Sequence, residues 1–224
     1  MRGARAGRSG SLLLAGFAVA LVVLVAVVAV IQLTHSRGAP RGAPPPAPGA
    51  GAPAPAPGAL RATPVTGRVT GQVPADCHQR TAGNGQPLPD PVCTPGVVST
   101  AVTQDNLAST ICRPGYTQTI RPPSSDTGAY KRKAMAAYHD SRPPSDYEFD
   151  HLVSLELGGS NDIGNLWPEF NDHPPDGAAN SKDPVENALN RAVCAHKVTL
   201  VAAQKAIATD WTTALATLGL PPVR

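Results

Sequence analysis

Apolar positions are spread very unevenly along the chain. From Ser11 to Leu33 they run on without a single charge. A helix over 11–33 reaches roughly 34 Å at about 1.5 Å per residue, enough to cross a hydrocarbon core of about 30 Å. The run is longer than the apolar region of a cleaved signal peptide, and Ile31-Gln32-Leu33-Thr34 offers no small-residue cleavage site. It therefore predicts an uncleaved signal anchor. Residues 1–10, with Arg2, Arg5 and Arg8 and no acid, form a basic cytoplasmic tail. The expected location is a single-pass position in the cell membrane with the C-terminal domain outside the cytoplasm, or secretion if the segment is cleaved. Residues 34–60 then collapse to Ala, Gly and Pro, which cannot bury a core, so a disordered, partly polyproline-like linker is expected there.

Beyond the linker the patterns shorten. Residues 61–94 are rich in Pro, Gly and Thr without a sustained period and predict an irregular lead-in to a domain over 95–220. Leu107 and Ile111 suit a short helix over 102–111, and the alternation in 116–120 suits a strand stopped by Pro122-Pro123. Ser125 or Asp126 caps a predicted helix reaching His139, with Tyr130, Ala134, Met135 and Tyr138 as its apolar stripe. Strict alternation over 149–157 predicts a half-buried strand, Gly158 to Gly164 a turn, and Asn165 to Trp167 a short return strand ended by Pro168. Asp183, Pro184 and Glu186 form a capping-box start for a helix to about His196. A last helix runs from Thr199 through Ala203, Ile207, Trp211 and Leu215, stopped by Gly219 and Pro221-Pro222. The fold class is thus α+β.

Charge changes the picture in one respect. The chain carries +3 overall, but 1–60 holds five arginines and no acid, so the other 14 basic residues face 16 acids and the exported part is near −2. Nucleic-acid affinity therefore requires a local patch, for which Arg113, Arg121, Lys131, Arg132, Lys133 and Arg142 are the available concentration and Arg121 with Lys131, Arg132 and Lys133 the candidates, against a solvated helix face for the last three. All four cysteines lie beyond the apolar run. An even count in an exported domain predicts two disulfides, with three pairings open; Cys77–Cys93 and Cys112–Cys194 are preferred, closing a short Pro/Gly-rich loop and tying the front of the domain to its last helices. With no CxxC pair present, a zinc knuckle does not fit.

Candidate chemistry concentrates in YEFDHLVSLELGGSNDIGNLWPE, residues 147–169, where Asp150-His151, Gly158-Gly159 and Asn165-Leu166 precede the capped helix with Asn180 and Lys182 at its start. This arrangement resembles the HNH endonuclease family, whose ββα-metal motif carries Asp-His, a Gly-Gly turn, Asn-Leu, and then His or Asn near the start of the helix. TIC at 110–112, IRPP at 120–123, NLWPE, KDPVEN and AQKAIATDW extend the resemblance to an exported bacterial HNH-like subgroup over about 95–215.

The resemblance implies a small ββα-metal core with additional helices. It implies that Asp150 ligates a divalent metal, that His151 is the general base, that Asn165 fixes the hairpin at the catalytic centre, and that Asn180 is the second ligand, with His173 or Asn187 in reserve. Lys182 joins the nucleic-acid contacts. An amide oxygen at 180 favours Mg²⁺ or Mn²⁺, with Zn²⁺ as the alternative. The implied partner is nucleic acid, DNA before RNA; the alternative function is a non-catalytic, disulfide-stabilised envelope binding protein. Neighbours on a flat strand point to opposite faces, so a shared site for Asp150 and His151 predicts a bulge or strong twist. Trp167 and Trp211 read as core aromatics, Glu156 and Glu169 as exposed strand-end acids, His139 as a helix-end residue, and His35, His78 and His196 carry no motif.

Overall fold

The computed structural model describes residues 60–172 and 180–223. The predicted tail, anchor and linker over 1–59, and His173, lie outside the described residues. Within them the protein is α+β, with three two-stranded sheets and five α-helices. Strands β1 (Arg61–Thr63) and β4 (Val97–Ser99) pair in parallel, and β2 (Arg80–Thr81) and β3 (Pro87–Leu88) pair antiparallel. Helices α1 (Tyr116–Ile120) and α2 (Ser124–Ala137) precede the hairpin of β5 (Tyr147–His151) and β6 (Leu166–Phe170). Helices α3 (Asp183–Cys194), α4 (Leu200–Thr209) and α5 (Ala214–Thr217) complete the chain. Two strands and then a helix follow one another in chain order over β5, β6 and α3.

Helix α3 turns Val185, Leu189 and Val193 inward, where they join Leu155, Leu157, Ala203, Ile207 and Trp211 in the largest core cluster. A second cluster gathers Leu152 and Trp167 against Ala137, Tyr138, Cys77 and Cys93. Both tryptophans are buried, as expected. Both preferred disulfides are present: Cys77–Cys93 locks the lead-in, and Cys112–Cys194 fastens the segment before α1 to the end of α3. The lead-in is woven into the domain through β1 and β4, with Gly96 N–H donating to Gly164 O at 3.0 Å and Ser160 N–H to Val97 O at 2.9 Å.

Several predicted elements are corrected. Residues 116–120 are helical: Tyr116 and Ile120, four apart, are buried while Gln118 is exposed, which is one face of a helical turn and the reverse of a strand's parity. The 102–111 helix is a 3₁₀ segment over Gln104–Ser109. The strand predicted over 149–157 stops at His151, because Leu152, Val153, Ser154 and Leu155 are all buried and the chain curls into a 3₁₀ turn at Leu155–Leu157. Strand β6 runs through Pro168 to Phe170; a strand in a two-stranded sheet has a free edge, where a missing N–H is tolerated. The last helix divides into α4 and α5 around Asp210. No bulge separates Asp150 from His151: β5 and β6 pair one to one, with Asp150 opposite Trp167 and His151 opposite Leu166.

Candidate active site

The turn between the two strands is shaped by two glycines and an asparagine. Gly158 has φ +73°, in the left-handed region, and a Cβ on Gly159 would lie 1.7 Å from the Val153 carbonyl oxygen. That close approach lets the Asn165 amide reach Val153. Its Oδ1 accepts from Val153 N–H at 3.0 Å and Val97 N–H at 3.3 Å, and its Nδ2 donates to Val153 O and Ser160 O at 2.9 Å each. Asn165 thus satisfies both backbone groups of a residue that has left the strand ladder. Its placement fits the predicted role of fixing the hairpin; it touches neither Asp150 nor His151 by hydrogen bonding.

His151, the last residue of β5, is 5% exposed. Its Nε2 lies 2.9 Å from Asn161 Oδ1, while Asn161 Nδ2 donates to Ile120 O at 2.8 Å. The second bond fixes which end of the Asn161 amide is the carbonyl, so the imidazole carries its proton on Nε2. Nδ1 then holds the lone pair. Burial pushes the imidazole below the ordinary histidine value, outweighing the nearby Asp150 charge that pulls it up. The ring is therefore neutral at neutral pH. Asn161 was missed in the sequence because it reads as one more polar residue in a glycine-rich turn.

Three carboxylates, one from each element of the ββα unit, meet around Lys182. Its Nζ contacts Asp150 Oδ2 from β5 and Glu186 Oε1 from α3, and lies 3.3 Å from Glu169 Oε2 of β6. Lys182 is 0% exposed and Glu169 1%. Burial works against the Asp150 charge, but the lysine ammonium prevails and holds this carboxyl below its ordinary value. Burial drives Glu169 and Glu186 well above theirs, only partly opposed by Lys182. Lys182, despite its desolvation, is held well above the usual lysine value by Asp150 and its two neighbours. A single ammonium thus faces three acids, and burial prevails at Glu169 and Glu186 while the ammonium prevails at Asp150.

This corrects three expectations. Lys182 is sealed among carboxylates and presents no ammonium to a phosphate. Glu169 is a buried acid in the centre of the cluster. Asn180, proposed as a ligand, is 1% exposed and spends its Oδ1 on the start of α3, accepting from Lys182 N–H at 3.0 Å and Asp183 N–H at 3.1 Å. Its side chain thus caps the start of α3 from two residues before Lys182, the N-cap position, a role assigned from sequence to Asp183. Asn187 is exposed on α3 and donates to Asp183 O at 2.9 Å.

The donor set nevertheless fits a hard divalent cation: all three acids offer oxygen, and the buried Glu169 Oε2 meets Lys182 Nζ at 3.3 Å without a well-aligned hydrogen bond. The basic patch divides. Arg121 is exposed and shares a cleft of about 340 Å³ with Ser154, Glu156, Asp183, Glu186 and Asn187. Within that cleft Glu156 is raised by burial, which outweighs the opposing charge of Arg191. Lys131 donates its Nζ to Tyr147 O, bracing α2 against β5. Arg132 and Lys133 are exposed on α2, and Lys133 lines a separate groove with Gly71 and Tyr130. Only Arg121 of the four lies in the cleft with Glu186. Comparison with family models, curated proteins and solved structures finds no match for the chain.

Proposed function

We propose that the chain is a metal-dependent endonuclease of HNH type that hydrolyses phosphodiester bonds of nucleic acid, DNA before RNA. The observation that carries this reading is the commitment of His151 Nε2 to Asn161, which leaves Nδ1 of a neutral imidazole as a base one residue after Asp150 on β5. His151 Nδ1 takes a proton from water attacking the phosphorus. Asn161 holds the ring in its tautomer, Asn165 holds the turn, and Arg121 offers a guanidinium to a phosphate at the cleft mouth. Asp150, Glu169 and Glu186 would hold Mg²⁺ or Mn²⁺ in preference to Zn²⁺. When bound, such an ion stabilises charge developing on the leaving oxygen. The uncharged run over 11–33 supports a membrane anchor with the domain outside the cytoplasm, and the two disulfides agree with an oxidising compartment.

One observation favours the second reading, a non-catalytic envelope binding protein on the same scaffold: the Asp150 carboxylate is already engaged by the protein's own cation, Lys182. Plasmid cleavage separates the two. The oxidised full-length chain in detergent should nick DNA with Mg²⁺ or Mn²⁺, stop on chelation, and lose cleavage in His151→Ala. Absence of cleavage with any of several divalent ions would leave the binding reading in place, and equal cleavage by His151→Ala would remove the histidine as the base.

A further inference from the structure

Away from the hairpin, two histidines 61 residues apart converge on one carboxylate. His139 Nε2 lies 2.7 Å from Asp76 Oδ1, and His78 Nε2 lies 3.4 Å from Asp76 Oδ2. The two rings stack with centroids 6.1 Å apart at 20°, and the donor atoms of all three residues lie within 4.8 Å of one another. A tetrahedral ion with ligand bonds of about 2.0–2.2 Å holds its donors roughly 3.3–3.6 Å apart, so small side-chain rotations bring these three into its reach.

The backbone beneath the cluster is fixed from several directions. Cys77, between Asp76 and His78, is disulfide-bonded to Cys93, and its N–H donates to Ala137 O at 2.9 Å. The His78 N–H donates to Asp90 Oδ2 at 2.7 Å. His139 follows α2 with φ +59°, a left-handed conformation that disfavours any residue with a Cβ. That conformation turns its ring toward Asp76. A helix ending there with glycine would avoid the strain and lose the ligand.

We propose that Asp76, His78 and His139 form a second cation site, for a borderline divalent transition ion of the Zn²⁺ class, clamping the 76–78 segment to the end of α2 and leaving one coordination position open to solvent. Two imidazole nitrogens and one carboxylate oxygen select Zn²⁺, Ni²⁺ or Cu²⁺ over Mg²⁺ and Ca²⁺. The all-oxygen set around Lys182 has the opposite preference.

Equilibrium dialysis of the oxidised full-length chain against Zn²⁺, with millimolar Mg²⁺ present, tests the site. Wild type and His151→Ala should each retain one Zn²⁺ per chain that His78→Gln and His139→Gly bind at least about tenfold more weakly. His139→Gly suits the left-handed backbone and His78 is exposed, so both variants should keep the wild-type circular dichroism. In wild type, Zn²⁺ should shift the ring proton resonances of His78 and His139. Equal Zn²⁺ stoichiometry and affinity in wild type and both variants, or unmoved resonances at saturation, would overturn the proposal.

Discussion

Replacing Asn165 with alanine tests whether one side chain holds the turn that delivers His151. The amide makes four hydrogen bonds of 2.9–3.3 Å, and the residue is fully buried. At about 1 kcal/mol net per bond, with further cost for buried backbone groups left without partners, Asn165→Ala should destabilise the domain by roughly 3–5 kcal/mol. Asn165→Asp keeps the shape but aims acceptor oxygens at the carbonyls of Val153 and Ser160 in a dry site, so it should cost at least as much. Urea unfolding of the oxidised protein measures both as a fall in midpoint at constant slope. Asn187→Ala, which removes one exposed bond within α3, serves as the control and should lie within about 0.5 kcal/mol of wild type. A loss below about 1 kcal/mol for Asn165→Ala, or wild-type stability for Asn165→Asp, would refute the assignment.

Three further outcomes are expected. Asn161→Ala frees the His151 ring to change tautomer and should lower DNA cleavage by about 10–100-fold with little change in KM; an unchanged kcat would remove Asn161 from the positioning role. Lys182→Met leaves three gathered acids without a counter-charge and should cost about 3–5 kcal/mol in urea unfolding, part of it recovered with millimolar Mg²⁺; a neutral effect would mean the cluster is not an ionic staple. Burial pushes the Tyr138 phenol up to about 12, against hydrogen bonds with Thr94 and Asp90 that pull it down. Because the folded value is raised, its stabilisation is whole below pH 10 and is lost as pH rises from 10 to 12, a fall of about 2–3 kcal/mol in wild type that Tyr138→Phe should lack when urea midpoints are followed over that range.

The legible parts of this chain were those fixed by local chemistry. The cysteine pairing followed from loop closure, the hairpin from its Gly-Gly turn and Asn165, and α3 from its apolar stripe. Alternation misled where burial surrounds the chain on all sides: Leu152 to Leu155 are all buried, so the parity of 149–157 describes no single face. In 116–120 a five-residue segment carries too few positions to separate period 2 from period 3.6, and only the exposure of Gln118 decides it. The illegible part of the site is tertiary. Asp150, Glu169 and Lys182 are separated by 19 and 13 positions, and nothing local marks Glu169 as buried or Lys182 as its neighbour.

That cluster explains why Asn stands at position 180, where a ligand was expected. Asn180 terminates α3 by accepting from two consecutive N–H groups, and this fixes the direction in which Lys182, at the helix cap, leaves the backbone. From there its ammonium reaches one carboxylate on each of β5, β6 and α3. Between β5, β6 and α3, such a cation does the joining that a bound ion would otherwise do. The unit is therefore assembled before any metal arrives. A divalent ion has to compete with a lysine already in place, at the cost of breaking its ion pairs, and this predicts weak ion affinity at the oxygen cluster whatever its preference among hard cations.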